Sequence, residues 1–326
     1  MIRLCARIAV ATIVLVVLAS RVDLAEVRNA LVAASRRDVA LATVWSFTAL
    51  LVIAFRLRVL LTAQGVPARL GQMFAINLSA FFYNLFLPIG GVGVAALRLQ
   101  KIAHGATGRL TVALTAIVCD RLTAVAALGF VGLVCWIADA HSKPAGGLFV
   151  LFAGLSTSAV LIAPRIVPLW LRRSVRELQM SGHGTWWSAA LTRLSHALGS
   201  VARMAPSALA RIFGISILAQ IPGILVFVAL GHGLGLSVSP LSMGWVRSVV
   251  TVLTLLPISI GGVGIREGAL VFTLQSLGVP AHDALALSLL VFATTILAPG
   301  LAGGAVEAAH LLGFGVIDAR GRRVSE

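Results

Sequence analysis

Apolar residues run along this 326-residue chain in long stretches that short polar or basic segments separate. A helix needs about 20 mainly apolar residues to cross the hydrocarbon core of a bilayer. Alternating apolar and polar positions, as in the strands of a membrane barrel, do not occur over any comparable length. The pattern therefore predicts an all-α polytopic integral membrane protein. Six full spans are expected, at residues 4–20, 39–57, 110–138, 147–164, 208–231 and 284–312.

Two further apolar segments, 72–99 and 241–270, are interrupted by proline and glycine. The first contains "LPIGGVG" (87–93) and the second contains "LPISIGGVGIREG" (256–268). Proline cannot complete a helical hydrogen bond, and glycine allows the chain to turn. Non-helical backbone survives inside a bilayer only where protein buries it or where it lines a polar cavity. We predict two re-entrant or broken helices; the alternative is a kinked helix packed on its neighbours.

The order of these segments is duplicated along the chain. Two spans, a broken segment and a span are followed by the same series, which predicts repeats at 1–140 and 145–313 of a single membrane domain, 1–317. If the broken segments do not cross, each repeat crosses the membrane three times, so the repeats are inverted relative to each other. Inverted repeats with broken helices are typical of transporters.

The net charge of +15 comes mostly from arginines that lie between the apolar stretches. They are dense in segment 165–204, which the positive-inside rule predicts to be a basic cytoplasmic loop; an amphipathic helix within this loop is the alternative to an irregular chain. The N-terminus and the polar tail 318–326 are then cytoplasmic too. Segment 21–38 mixes charged and apolar residues and predicts a short interfacial helix on the outer side. Because this charge is explained by topology and by anionic headgroups, a nucleic acid partner is not expected.

Several charges fall inside apolar stretches instead. A charge at the centre of a bilayer costs at least about 2.5–3.5 kcal/mol on insertion scales. Asp120 and Arg121 are adjacent, so their side chains point roughly 100° apart on a helix and each needs another partner. We predict an intramembrane cluster in which Asp120 lies near Arg98 or Arg266 and Arg121 lies near Glu267. The alternative is that such pairs only lock helices together.

The second glycine-rich break also suggests a binding site. A helix beginning near Gly264 would present free N–H groups and the positive end of its dipole, which suit a phosphate. We therefore predict that Gly261, Gly262, Gly264 and Arg266 bind the phosphate of a lipid headgroup. The first break supports the same argument, with Arg98 as its cation.

No cofactor or metal is expected. The seven histidines lack the spacing of a metal site. The G-x-G-x-x-A match at 91–96 lies within membrane-grade apolar sequence, where a dinucleotide site is not expected. The three cysteines sit in or beside apolar stretches and are interpreted as small apolar residues.

Three stretches carry a resemblance to a known family: 84–105, 120–125 ("DRLTAV") and 255–279 ("LLPISIGGVGIREGALVFTLQSLGV"). In them the chain resembles the flippase-like membrane region of lysylphosphatidylglycerol synthases and its stand-alone relatives. The first stretch departs from the family pattern because Val94 and Ala95 stand where an acidic residue usually follows the paired glycines.

The resemblance implies translocation of an anionic or glycosylated lipid across the bacterial inner membrane, and it adds Asn84 to the expected headgroup site. A scaffold or accessory subunit for a separate lipid-modifying enzyme, of a hopanoid or aminoacyl-lipid pathway, is the alternative. The synthases carry a soluble aminoacyl-transfer domain that this chain, ending at Glu326, is expected to lack. The chain is therefore not expected to be an enzyme, and an integral-membrane transferase is the less favoured alternative.

Overall fold

A computed structural model describes residues 22–86, 90–102, 110–139, 186–255 and 262–312, together with four single positions between 140 and 185. Within these ranges every regular element is helical and no strand occurs, in agreement with the predicted all-α class. The predicted spans at 4–20 and 147–164 lie wholly or mostly outside the described residues, and so does the polar tail.

Twelve helices are described and are numbered in chain order. A π-helical turn, Ala293–Leu297, joins the last two of them. The helices are α1 (Leu24–Ala33), α2 (Arg36–Thr62), α3 (Leu70–Phe86), α4 (Gly90–Lys101), α5 (Leu110–Ala138), α6 (Trp186–Ala202), α7 (Pro206–Leu218), α8 (Gln220–Gly233), α9 (Pro240–Leu255), α10 (Ile265–Gln275), α11 (Ala281–Phe292) and α12 (Ala298–Leu311).

Four helical stretches among the described residues are long and apolar enough to cross a membrane. Each coincides with a predicted span: one has the predicted bounds, two extend a few residues further at both ends, and the last lies three residues nearer the N-terminus. The extension matters most in α2, which continues to Thr62 and so places Arg58 within the helix and Arg56 nearly two turns before its end. The four stretches are Arg36–Thr62, Leu110–Ala138, Pro206–Gly233 and Ala281–Ala309.

Both broken segments consist of two short helices. Segment 72–99 is formed by α3 and α4, and segment 241–270 by α9 and α10. The second helix of each pair has only 12 and 11 residues respectively, which is too short to span a bilayer. In the second break Gly262 and Gly264 have φ angles of 80° and 83°, a backbone conformation that favours glycine.

The two halves of the chain pack against each other in an antiparallel manner. Near the start of α2, the Ser35 N–H donates to the Gly233 carbonyl at the end of α8 over 2.9 Å. Near the end of α2, Arg56 donates to Ser216 in α7 over 3.0 Å. Helix α2 and its counterpart α7–α8 therefore run in opposite directions.

Several other contacts are exchanged between the halves. Helix α3 packs on α12 while α9 packs on α5, and α1 packs on α11 while α6 packs on α5. Inverted repeats that are related by a two-fold axis in the membrane plane would form exchanged contacts of this kind. The repeat boundaries themselves stay predictions.

Part of the segment predicted as a basic loop forms a helix, the alternative that the sequence left open. Helix α6 occupies residues 186–202, and Ala197, Leu198 and Val201 are buried on one of its faces. That apolar face packs against α5, so burial of apolar area, rather than charge, determines the structure here. The interfacial helix predicted within segment 21–38 corresponds to α1, and Asp23 caps its N-terminus.

Close packing of α3 on α12 depends on small residues, as in other membrane helix pairs. A Cβ at Gly303 would collide with the backbone carbonyl of Leu78, and one at Gly304 would lie 2.9 Å from the ring of Phe82. The helices can approach this closely only because glycine has no side chain.

We expect Gly303→Ala to lower the free energy of unfolding by about 1–3 kcal/mol. The new methyl group would meet the backbone of Leu78, which cannot move aside as the end of a flexible side chain can. Thermal unfolding in detergent measures this. The matched control is Gly214→Ala in α7, where a Cβ has nothing within 4 Å and alanine favours the helix. Equal melting temperatures for the two variants would contradict the packing role.

Candidate functional site

A buried ion pair joins α2 to α5. The side chains of Arg56 and Asp120 are 3% and 4% exposed, and both Nε and Nη2 of Arg56 lie 2.7 Å from Asp120 Oδ1. Arg56 Nη1 also donates to the Ser216 hydroxyl over 3.0 Å. Arg56 was not among the predicted site residues, because the predicted span ended beside it. The available signal was the apolar "VLLT" that follows, which continues the helix to Thr62.

The first broken helix contributes a second cation to the same carboxylate. Arg98 in α4 is 6% exposed, and its Nη1 lies 3.7 Å from Asp120 Oδ2. Its Nη2 donates to the Oδ1 of Asn77, which is completely buried in α3. Of the two partners predicted for Asp120, the structure therefore brings Arg98 into contact, while Arg266 pairs elsewhere.

Three buried nitrogen atoms around Asp120 have no hydrogen-bond partner. They are Asn77 Nδ2, Arg98 Nε and Arg121 Nε, and among the described residues no other buried side-chain nitrogen or oxygen lacks one. Arginine can only donate, so the Asn77 oxygen must face Arg98 and leave the amide NH₂ group unpaired. All three atoms are donors, and buried donors are normally satisfied. The site is therefore suited to a group that only accepts hydrogen bonds.

The charges at this site do not balance. Arg121 follows Asp120 directly, and its charge acts on both Asp120 and Arg98. Two guanidinium groups thus contact one carboxylate, and the half-buried Arg121 adds a third positive charge nearby. Apolar side chains flank them on the helices that carry them, among them the fully or nearly buried Leu57, Met73 and Cys119. We call Arg56, Asn77, Arg98, Asp120 and Arg121 the buried cationic cluster.

The second broken helix balances its own charge. Arg266 and Glu267 are 7% and 3% exposed and form a direct ion pair at the start of α10. Ser288 Oγ lies 3.4 Å from Arg266 Nε, and the Arg266 guanidinium lies over the ring of Phe292 at 4.9 Å. Arg121 was the predicted partner of Glu267. No ion pair joins these two described residues, because the Glu267 carboxylate is directed back to its own helix terminus.

We predicted free N–H groups at the start of α10, but the N–H of Gly264 is not free. Glu267 Oε2 accepts from the Gly264 N–H over 2.6 Å, so a carboxylate already occupies the positive end of α10. At Gly262 a Cβ would meet Thr254 at 3.2 Å, which gives this glycine a packing role. Gly261 lies outside the described residues.

Asn84 lies apart from the cluster. It is half-buried in the last turn of α3, two turns beyond Asn77 on the same helix face, which places it about 10 Å further along the axis. The side chain of Val94 is outside the described residues. Within the described ranges, no group of three or more His, Cys, Asp or Glu side chains is arranged to hold a metal ion.

A family model described as the lysylphosphatidylglycerol synthase TM region matches residues 4–303. No curated protein and no solved structure matches the chain. Since the match covers most of the sequence, the chain belongs to this family, as its motifs predicted. The family and the apolar helices together make it a multi-pass membrane protein with a role connected to membrane lipids. Its location in a bacterial inner membrane stays a prediction.

The buried pair should behave as an energetic unit. We expect Arg56→Gln and Asp120→Asn each to lower the free energy of unfolding by about 3–5 kcal/mol, because each leaves a buried charge without its closest partner. The double variant should lose clearly less than the sum. Chemical unfolding in detergent, analysed as a double-mutant cycle, measures the coupling.

Arg121→Gln with Glu267→Gln is the matched control. These residues are not in contact, so their effects should add within about 0.5 kcal/mol. Additivity at Arg56 and Asp120, or strong coupling in the control pair, would show that the charge network is assigned incorrectly.

Proposed function

We propose that this member of the family translocates an anionic membrane lipid between leaflets, and that the buried cationic cluster binds the phosphate of its headgroup. One observation carries the proposal: at membrane depth, surplus positive charge coincides with three unpartnered hydrogen-bond donors. An ion pair that only locked helices together would need neither feature.

The chemistry of a phosphate fits this site closely. Its oxygens accept hydrogen bonds and carry negative charge, so they would satisfy the nitrogens of Asn77, Arg98 and Arg121 together. Arginine presents a planar fork that contacts two phosphate oxygens at once. Burial strengthens such contacts, because there is little water to compete for the donors.

The depth of the cluster suits a lipid in passage. Asp120 lies ten residues into the 29-residue helix α5, about 15 Å along its axis. Ser216, which binds Arg56, is similarly about 15 Å along the α7–α8 span. Both therefore lie within the thickness of the hydrocarbon core, where a headgroup is found only while it crosses.

The two broken helices differ in the way the proposal requires. Aligned on their shared "GGVG", residues 90–93 and 261–264, the first break has Ala95 and Ala96 where the second has Arg266 and Glu267. The second break is therefore neutralised by its own carboxylate. The first break has no such carboxylate, and Arg98 turns instead to a cluster that is already short of negative charge.

The surplus charge also predicts which lipids are preferred. A headgroup with net negative charge gains from the cluster, whereas the amine of a zwitterionic or cationic headgroup would be repelled by its arginines. The proposed substrate is thus an anionic phospholipid. Translocation of this kind breaks no covalent bond.

The test uses liposomes that contain the purified full-length chain and a trace of fluorescent phosphatidylglycerol. Chemical quenching of the outer leaflet reports the rate at which the probe crosses. We expect Arg98→Gln to slow this rate about tenfold or more, since a charged hydrogen bond of about 1.5–3 kcal/mol is lost. Fluorescent phosphatidylethanolamine should cross more slowly than phosphatidylglycerol in the unaltered protein.

Arg193→Gln is the matched control, because it removes the same charge from an exposed position on α6 and should leave the rate unchanged. Melting temperatures separate lost function from lost folding. If Arg98→Gln stays folded and transports at the original rate, the cluster is not the lipid site. If the unaltered protein does not exceed empty liposomes, translocation is wrong and the scaffold alternative is favoured.

A further inference from the structure

A groove of about 350 Å³ opens on the surface of the helix bundle, at the junction between α2 and α7. Its lining combines two exposed arginines, Arg58 and Arg211, with the apolar side chains of Phe55, Val59 and Ile212. Its volume is within the range of small-molecule binding sites, roughly 300–1,000 Å³. The groove does not include any residue of the buried cationic cluster.

The two arginines lie where lipid phosphates lie. Arg58 is four residues before the end of α2, and Arg211 is five residues after the start of α7, so each is about 6–8 Å from a helix terminus. That depth corresponds to the boundary between acyl chains and headgroups. No ion pair with a carboxylate is formed by either arginine among the described residues, so both charges face the groove without internal neutralisation.

The apolar lining matches the other part of a lipid. Phe55, Val59 and Thr62 recur at helical spacing on the outer face of α2, and Phe55 is exposed there. A phosphate bound between the arginines would direct its acyl chains along this face into the bilayer. A soluble anion would gain the charge contacts but nothing from the apolar side chains.

Direct contacts connect the groove to the buried cationic cluster. Ile212 lines the groove, and its carbonyl accepts the Ser216 hydroxyl over 2.8 Å. The same hydroxyl accepts from Arg56 over 3.0 Å, and Arg56 holds Asp120. One turn of α7 thus separates the groove from the cluster.

We propose that this groove is a second lipid site. It holds an anionic phospholipid by its phosphate, in the leaflet at the end of α2 and the start of α7, before the headgroup moves to the buried cationic cluster. Binding in the groove is independent of the proposed translocation, and only the onward step rests on it.

Native mass spectrometry of the full chain with phosphatidylglycerol as the probe counts the bound lipids. We expect two high-affinity lipids on the unaltered protein and one on R58Q/R211Q, whose groove affinity should fall at least tenfold with loss of the charged contacts. Arg98→Gln should also retain one lipid, and the combined variant none. The control R28Q/R193Q removes two exposed charges from α1 and α6 and should retain two.

Competition with glycerol 3-phosphate separates a lipid from a free anion. It should not displace the groove lipid, because it lacks acyl chains. Displacement by it would overturn the assignment to lipid. Unchanged lipid binding by R58Q/R211Q would show that the two arginines extend to the water at the membrane surface without binding a lipid. That result would overturn the proposed groove site. In the liposome assay this variant should transport more slowly at low phosphatidylglycerol content and normally at high content. An unchanged rate at low content would overturn the onward step while leaving the cluster's role intact.

Discussion

The cost of keeping charged groups inside an apolar helix bundle governs this protein. An isolated buried carboxylate is strongly unfavourable, and Asp120 is stable because Arg56 places two nitrogens on one of its oxygens. Arg56 in turn binds Ser216, so the same side chain joins three spans. One carboxylate cannot balance three guanidinium groups, however. The residues that hold the helices together therefore carry a surplus of positive charge, beside hydrogen-bond donors that have no partner.

The second break resolves the same physical problem locally. Glu267 pairs with Arg266 and accepts the Gly264 N–H, so charge and helix terminus are compensated within four residues. Two breaks with a shared glycine-rich motif thus have different roles in the structure: one is neutral by itself, and the other depends on distant helices. This asymmetry explains why we place the headgroup at the first break, although the second break carries the more complete family motif.

The antiparallel packing of the two halves gives the cluster its setting. Helix α2 and its counterpart α7–α8 meet with Ser35 beside Gly233 at one end and Arg56 beside Ser216 at the other. The short helices of each half then pack on the long span of the other half. In such an arrangement a small movement of one half against the other changes the surroundings of a site at their junction, which is the general basis of alternating access. The groove between α2 and α7 lies at this junction as well.

Much of this architecture followed from the sequence alone. The lengths of the apolar stretches determine which segments can cross a bilayer, and the positions of proline and glycine determine where a helix must break, because both are local properties of the chain. The four described spans and the divided segments 72–99 and 241–270 were predicted on that basis, and the family was predicted from the resemblance of its motifs. The partners of the charged residues were predicted only in part: Arg98 was one of the two expected for Asp120, but Arg56 was not expected, because pairing depends on which helices become neighbours. Arg56 and Asp120 are 64 residues apart in sequence, and no local pattern relates them. Glu267 caps its own helix and is therefore not available to Arg121, whereas only the packing of α2, α4 and α5 decided that Asp120 belongs to Arg56 and Arg98.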